Sequence, residues 1–247
     1  MCGALPRPAR AKDPDLGPAA PFSFELLQER AGTLAKSPFA PNTVRAPDVL
    51  AQIDYDAYQQ IKYRRERTLQ TDRNGHHPVQ LFHMGKNFTE AVRIFAVEGN
   101  EAREVIYSQA LFETPEDHPA RQLPEGLGFA GWRAMAEDLN TDWLAFLGAS
   151  YFRTSGPFNQ YGLSARALAI DTGLPTPEEF PRFSEFYISA RPRGPLMVHG
   201  LLEGPSVTGA YRFAIERLKD DRDVYRIVME IEARLFARKD ITRLGIA

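Results

Sequence analysis

Between Leu147 and Asp171 the chain reads LGASYFRTSGPFNQYGLSARALAID, and its tyrosines, arginines and aspartate could hold a sugar. Tyr151 and Arg153 stand two apart, so a strand puts both on one face and leaves Ser150 and Phe152 on the other. Gly156-Pro157 then turns the chain into Tyr161 to Asp171, where Leu168 and Ile170 define an apolar face. Arg166 shares their parity, so away from a strand end or bulge its charge needs a buried partner. The nearby carboxylates are Asp171, Glu178, Glu179 and Glu185, and Tyr187 shares parity with Glu185. Aromatic rings cover the apolar faces of pyranoses, while charged forks hydrogen-bond the hydroxyls. A face of Tyr, Arg, Glu and Asp therefore suits a sugar polymer. The same residues also read as a solvated sheet face with cross-strand ion pairs. Glycoside hydrolysis needs two carboxyl groups, about 5 Å apart for retention or roughly 6.5–9.5 Å for inversion. Asp171 and Glu185 are a candidate pair whose separation the sequence does not fix.

Other chemistries find less support. Gly126-Leu127-Gly128-Phe129-Ala130-Gly131 lacks a preceding strand, a following helix and a phosphate lysine, so it reads as a tight turn rather than a P-loop. The histidines are His76, His77, His83, His118 and His199, and their spacings match no zinc template. Gly148-Ala149-Ser150 and Gly162-Leu163-Ser164 lack the second glycine of a nucleophile elbow. Cys2 is the only cysteine, so no intrachain disulfide forms. Nothing calls for a metal or an organic cofactor.

The elements that must position the hairpin are mostly strands. The chain has 247 residues, 43% hydrophobic and 25% charged, which is ordinary globular usage. Its net charge of −2 gives no electrostatic reason to bind nucleic acid or an anionic membrane. No apolar run approaches the roughly 18 residues of a membrane span. Ala9-Arg10-Ala11 reads as the end of a secretory leader, and residues 12–21 as an extended tail. Phe22 to Lys36 reads as a helix with Ser23 as N-cap, stopped at Pro38. A linker follows to Pro47, then a short helix and a turn to Ala57. From Tyr58 onward about ten short strands are expected, with Trp143 to Arg153 as the strongest single run. Short turns between sequential strands, without βαβ alternation, predict an all-β, antiparallel sandwich or barrel with one or two short N-terminal helices.

Several longer runs also fall in order along the chain. They are Ile53-Asp54-Tyr55-Asp56-Ala57-Tyr58-Gln59-Gln60-Ile61, Leu81-Phe82-His83-Met84-Gly85 with Phe88, and Leu127-Gly128-Phe129-Ala130-Gly131. Leu147 to Arg153, Tyr161 to Arg166 with Ala169 to Thr172, and Glu178 to Phe183 come next, then Gly209 to Phe213 and Leu244 to Ala247. Together they resemble the glucan biosynthesis proteins G and D, the MdoG family of osmoregulated periplasmic glucans, from about Asp48 to the last residue. The resemblance implies a periplasmic protein reached through a cleavable leader. It implies a β-sandwich like that of galactose mutarotase, with a glucan cleft and then a smaller immunoglobulin-like domain. It implies work on β-1,2-linked glucose backbones, with inverting hydrolysis of β-1,2-glucan in some members.

Family chains run on past Leu-Gly-Ile-Ala into more of the same sandwich. The expected organisation here is a leader remnant at 1–11, a tail, short helix and linker at 12–47, and an incomplete glucan-processing sandwich at 48–247. The family's hydrolytic carboxylates have no counterpart before Ala247, so no catalytic residue is carried over and the chain is expected not to hydrolyse glucan. Tyr151, Arg153, Tyr161, Arg166 and Asp171 match family hairpin positions and are the candidate glucan-binding residues. The expected partners are β-1,2-glucan and, for a scaffold, the membrane glucan synthase. A non-catalytic carbohydrate-binding module and an inactive truncated product remain the alternatives.

Overall fold

The computed structural model describes residues 14–71, 76–148, 150–156, 160–190, 194–219, 221 and 224–246, with backbone alone for 161–163. Among the described residues there are three helices, α1 (Phe24–Ala35), α2 (Pro47–Gln52) and α3 (Tyr55–Gln60). The first strands are β1 (Leu16–Pro21), β2 (Lys62–Tyr63), β3 (Leu69–Gln70), β4 (Pro78–Phe82), β5 (Arg93–Glu98), β6 (Glu101–Val105) and β7 (Phe112–Glu113). They continue with β8 (Gly131–Met135), β9 (Asp142–Leu147), β10 (Tyr151–Ser155), β11 (Tyr161–Arg166) and β12 (Ala169–Ile170). The last are β13 (Arg182–Ala190), β14 (Leu196–Glu203), β15 (Val207–Lys219), β16 (Tyr225–Ala237) and β17 (Leu244–Gly245).

Two sheets form an all-β sandwich. One has the order β1-β6-β5-β13-β14-β15-β16, the other β11-β10-β9-β8-β4-β3. Aromatic residues of both sheets fill the space between them. Phe146 is fully buried and lies within ring contact of Trp132 and Phe152 from its own sheet and of Phe183, Phe186 and Phe213 from the other. Burying a phenylalanine side chain contributes roughly 1.5–3 kcal/mol.

Helix α1 covers the outer face of the seven-stranded sheet. The Ser23 side chain accepts the Leu26 N–H, and Phe24, Leu27 and Ala31 make the buried stripe. This stripe meets Tyr187, Leu201 and Ala210 of the sheet. Glu185 is buried on the same side, where it accepts hydrogen bonds from Arg30 of α1 (2.6 and 2.8 Å), Arg93 (3.0 Å) and the Tyr187 hydroxyl (2.7 Å). The Tyr187 ring lies stacked between Phe22 and Phe95. Burial, then the Glu185 carboxylate, pushes the Tyr187 phenol up, so it stays a donor at neutral pH.

Several expectations are corrected. The stretch expected as an extended tail is extended, but Leu16–Pro21 pairs antiparallel with β6 and joins the sheet. The short helix expected before Ala57 is two among the described residues, because the Asp54 side chain accepts the Ala57 N–H and starts α3 after α2 has ended. Trp143 to Arg153 is two strands, since Gly148 (φ 61°) and Ser150 (φ 52°) turn the chain between β9 and β10. Strand β5 pairs parallel with β13, because the chain between them builds most of the other sheet before it returns. Every other pairing of strands is antiparallel among the described residues.

Candidate functional site

The outer face of the six-stranded sheet carries two transverse rows of side chains. Cross-strand register places Gln80, Arg133, Ala145, Arg153 and Ser164 in one row. The neighbouring row is Phe82, Gly131, Leu147, Tyr151 and Arg166. Arg133 and Arg153 are two strands apart, about 9–10 Å at the backbone, with the small Ala145 between them. Inward neighbours dictate this arrangement. Trp132 and Phe152 are buried between the sheets, so the alternation of the strand turns Arg133 and Arg153 outward.

A groove of about 450 Å³ opens over these rows. Its floor includes Phe82, Arg133, Leu147 and Arg153, with Asp142 beside them. Its wall is α3 and the chain on either side, including Asp54, Tyr55, Tyr58 and Lys62, and the turn with Lys86 and Phe88. Tyr55 is 70% exposed and offers its ring to the groove.

Hydrogen bonds hold both parts in place. The Tyr58 hydroxyl donates to the His83 carbonyl at 2.9 Å, and burial pushes this phenol up to about 12. Gly85 lets the Tyr58 ring approach, for a Cβ there would stand 2.9 Å from Tyr58 Cδ2. His118 donates through Nε2 to the Ala57 carbonyl of α3 (2.9 Å) and accepts the Ala120 N–H at Nδ1 (3.1 Å). Burial holds His83 below the usual imidazole range, so it is neutral. Its Nδ1 donates to the Met84 carbonyl (2.6 Å) and its Nε2 accepts from the Tyr107 hydroxyl (2.9 Å). Behind the floor, Arg133 donates to Gln80 (2.9 Å), Gln80 to Thr68 (3.2 Å) and Thr68 to the Arg65 carbonyl (2.8 Å). The Arg133 guanidinium also lies over the Phe82 ring.

The five residues expected to bind glucan do not all converge. Arg153 lines the groove, and Tyr151 and Arg166 face the same side in the next row. Arg166 is the strand-end case in which its charge needs no buried partner. Strand β11 ends at Arg166, the Ala167 N–H turns to the Ser150 carbonyl, and Ala169–Ile170 pairs with β17 instead. The Arg166 guanidinium stacks over Phe180. Asp171 sits in a turn at φ 57° and accepts the Arg243 N–H at 2.9 Å, so it braces the β12–β17 pair. The Tyr161 backbone lies opposite Ser155, and its side chain is outside the described residues. Glu185 is enclosed by Arg30 and Arg93 on the α1 side, while Asp171 braces β12–β17; the two carboxylates do not face each other across the groove.

Sequence reasoning missed Tyr55, Tyr58, Phe88, Arg133 and Asp142. A signal existed for Arg133, which alternates with Trp132 in an expected strand. Another lay in Tyr55 and Tyr58, which stand three apart in a short helix. Among the described residues no group of three or more His, Cys, Asp or Glu could hold a metal ion, and no helix is long and apolar enough to cross a membrane.

Fold and groove together define a β-sandwich with an open, aromatic-walled trough floored by arginines. The family described as "Periplasmic glucan biosynthesis protein, MdoG" matches residues 22–247, and the chain belongs to that family. It is 42% identical over 258 residues to glucans biosynthesis protein D 2 of Ralstonia nicotianae, covering 99% of this chain and 47% of that protein. It is 42% identical to glucans biosynthesis protein D of Xanthomonas oryzae pv. oryzae, covering 94% of this chain and 43% of the relative. The corresponding protein of Stenotrophomonas maltophilia is 43% identical, again over 94% and 43%. The chain thus spans less than half the length of these relatives.

Proposed function

We propose that this chain recognises a β-1,2-linked glucose backbone in the groove between α3 and the six-stranded sheet, as part of glucan biosynthesis in the periplasm. The row of Arg133, Ala145 and Arg153, whose arginines line the groove together with Tyr55, carries this reading. An exposed tyrosine supplies a flat surface for a pyranose, and two guanidinium forks supply donors for its hydroxyls. The groove volume of about 450 Å³ falls in the range of roughly 300–1,000 Å³ common for small-ligand sites. Asp54 and Asp142 are the carboxylates of the groove, and Asp54 uses one oxygen to cap α3. The arrangement supports recognition of the backbone more directly than cleavage.

Calorimetric titration with linear β-1,2-glucan tests the reading, with β-1,3-glucan as comparator. Saturable binding to the β-1,2-linked polymer is expected, weakened about tenfold or more by Arg153→Ala and by Tyr55→Ala. Absence of binding by the folded chain, or affinity unchanged in both variants, overturns it. Release of short oligosaccharides during the titration would show that the groove cleaves as well as binds.

A further inference from the structure

We propose that β16 is a self-association edge: it pairs antiparallel with β16 of a second copy of this chain, in a two-fold register centred on Val228.

The outer edges of the two sheets differ. The six-stranded sheet ends on β3, which is two residues long, and on β11, whose register against β10 shifts between Arg153 and Ser155. The seven-stranded sheet ends at one side on β1, which carries Pro18 and Pro21 and a register shift of its own. Prolines, bulges and shortness keep an edge from recruiting another strand. Strand β16 has none of them. It runs for 13 residues, Tyr225–Ala237, without Gly or Pro and in unbroken register with β15. Among the described residues no backbone hydrogen bond reaches its outer side.

The first half of β16 also carries an open apolar rim and two unmatched charges. Ile227 and Met229 pack on the core from the rim of the sandwich and remain half-buried. Tyr225 and Ile231 share their side by alternation, and Ile231 is 48% exposed. Arg226, Val228 and Glu230 stand on the other side. Arg226 and Glu230 are exposed, and among the described residues neither has an ion-pair partner. Four residues of strand hold them about 13 Å apart, too far to pair with each other.

Two-fold symmetry turns this half-strand into its own complement. Residues directly opposite in an antiparallel pair lie on one face with Cβ atoms about 5 Å apart. With Val228 facing Val228 of the second copy, Arg226 of each chain faces Glu230 of the other. On the core side Ile227 faces Met229 and Tyr225 faces Ile231, which closes the apolar rim. Registers centred further along do worse. Centring on Met229 sets Arg226 against Glu232, which Arg212 and Arg234 already hold, and leaves Glu230 against Val228. Centring on Glu230 sets that carboxylate against itself and Arg226 against Arg234. The contact is isologous, so it uses both edges and stops at two copies.

Sedimentation equilibrium of the full chain over a dilution series tests the proposal. The expected result is a reversible dimer, with the amides of 225–231 exchanging more slowly as concentration rises. Arg226→Glu and Glu230→Arg each set like charges opposite one another twice, and each should raise the dimer Kd about tenfold. The double variant Arg226→Glu/Glu230→Arg restores both pairs across the two-fold and should return the Kd to the wild-type value. Both positions are exposed, and the urea midpoint of each variant, measured where it is monomeric, checks that the fold is kept. Should a charge reversal fail to fold, Arg226→Gln and Glu230→Gln replace it, each with a smaller rise in Kd. A monomer at every concentration overturns the proposal, as do assemblies that grow past two copies. A dimer indifferent to both single variants, or not rescued by the double one, is held by another surface or register and overturns it too.

Discussion

His199 should make the fold sensitive to acid in a measurable way. It sits on β14, with its ring 5.3 Å from Phe22 and 5.4 Å from Phe24 where the chain enters α1. Arg212 stands opposite it on β15, Tyr187 opposite it on β13, and Glu25 lies at the start of α1. Burial first, then Arg212, pushes its imidazole down to about 4, with Glu25 opposing. An unfolded chain binds the proton at about pH 6.5. Above that value both states are neutral and the group contributes nothing to the pH dependence. As pH falls from about 6.5 to about 4, the unfolded chain takes up a proton that the folded one refuses, so stability falls. The full difference is about 3 kcal/mol, a large share of the roughly 5–15 kcal/mol typical of a domain. Urea unfolding followed by tryptophan fluorescence, repeated between about pH 8 and pH 4 on wild type and His199→Gln, reads this difference directly. Carboxylates and His83 titrate in both proteins and cancel in the comparison. Wild type should lose about 3 kcal/mol more than the variant over that range. Parallel pH curves, or an imidazole that titrates near its ordinary value in the folded protein by NMR, would refute the reasoning.

Other substitutions probe the core and the groove. Phe146→Ala empties a fully buried site with rings on every side and should cost about 3–5 kcal/mol in urea unfolding. At Gly131 an added Cβ would stand 2.1 Å from the Phe146 carbonyl oxygen. Gly131→Ala must therefore part β8 from β9 and should cost at least about 1–3 kcal/mol, read as a fall in Tm. Glu185→Gln removes the charge shared by Arg30 and Arg93, both half-exposed, and should cost about 2 kcal/mol, with α1 amides losing hydrogen-exchange protection first. Tyr55→Ala should leave stability within about 0.5 kcal/mol, because the ring is already largely in solvent, so any loss of glucan affinity reports binding alone.

Local pattern carried some of this fold and none of its long-range geometry. The shared face of Tyr151 and Arg153 follows from period two and nothing else. Arg166 sits at the end of β11, the exception that the parity reading allowed, and no residue type at Ala167-Leu168 announces the stop. The turn inside Trp143 to Arg153 was hidden by apolar residues on both sides, with Gly148 as its single cue. The parallel contact of β5 with β13 joins segments separated by most of the second sheet, and no local rule sees such a pair.

The groove shows where the division falls. Its cationic floor follows from the core, since Trp132 and Phe152 are large and apolar, and their burial turns Arg133 and Arg153 outward whatever those positions bind. A reader of the strand alternation alone could have written down both arginines. The row they form is a different matter. It needs β8, β9 and β10 to be adjacent and in register, with Ala145 opposite both arginines, and that register is fixed by the turns at either end of β9. The wall is less local still. Tyr55 reaches the trough only because Tyr58 and His118 fasten α3 over the sheet, through the carbonyls of His83 and Ala57. The arginine row could serve as a solvated sheet face by itself. The tyrosine wall fastened across it makes the face a groove, and a sequence reading that stops at one hairpin sees only half of the site.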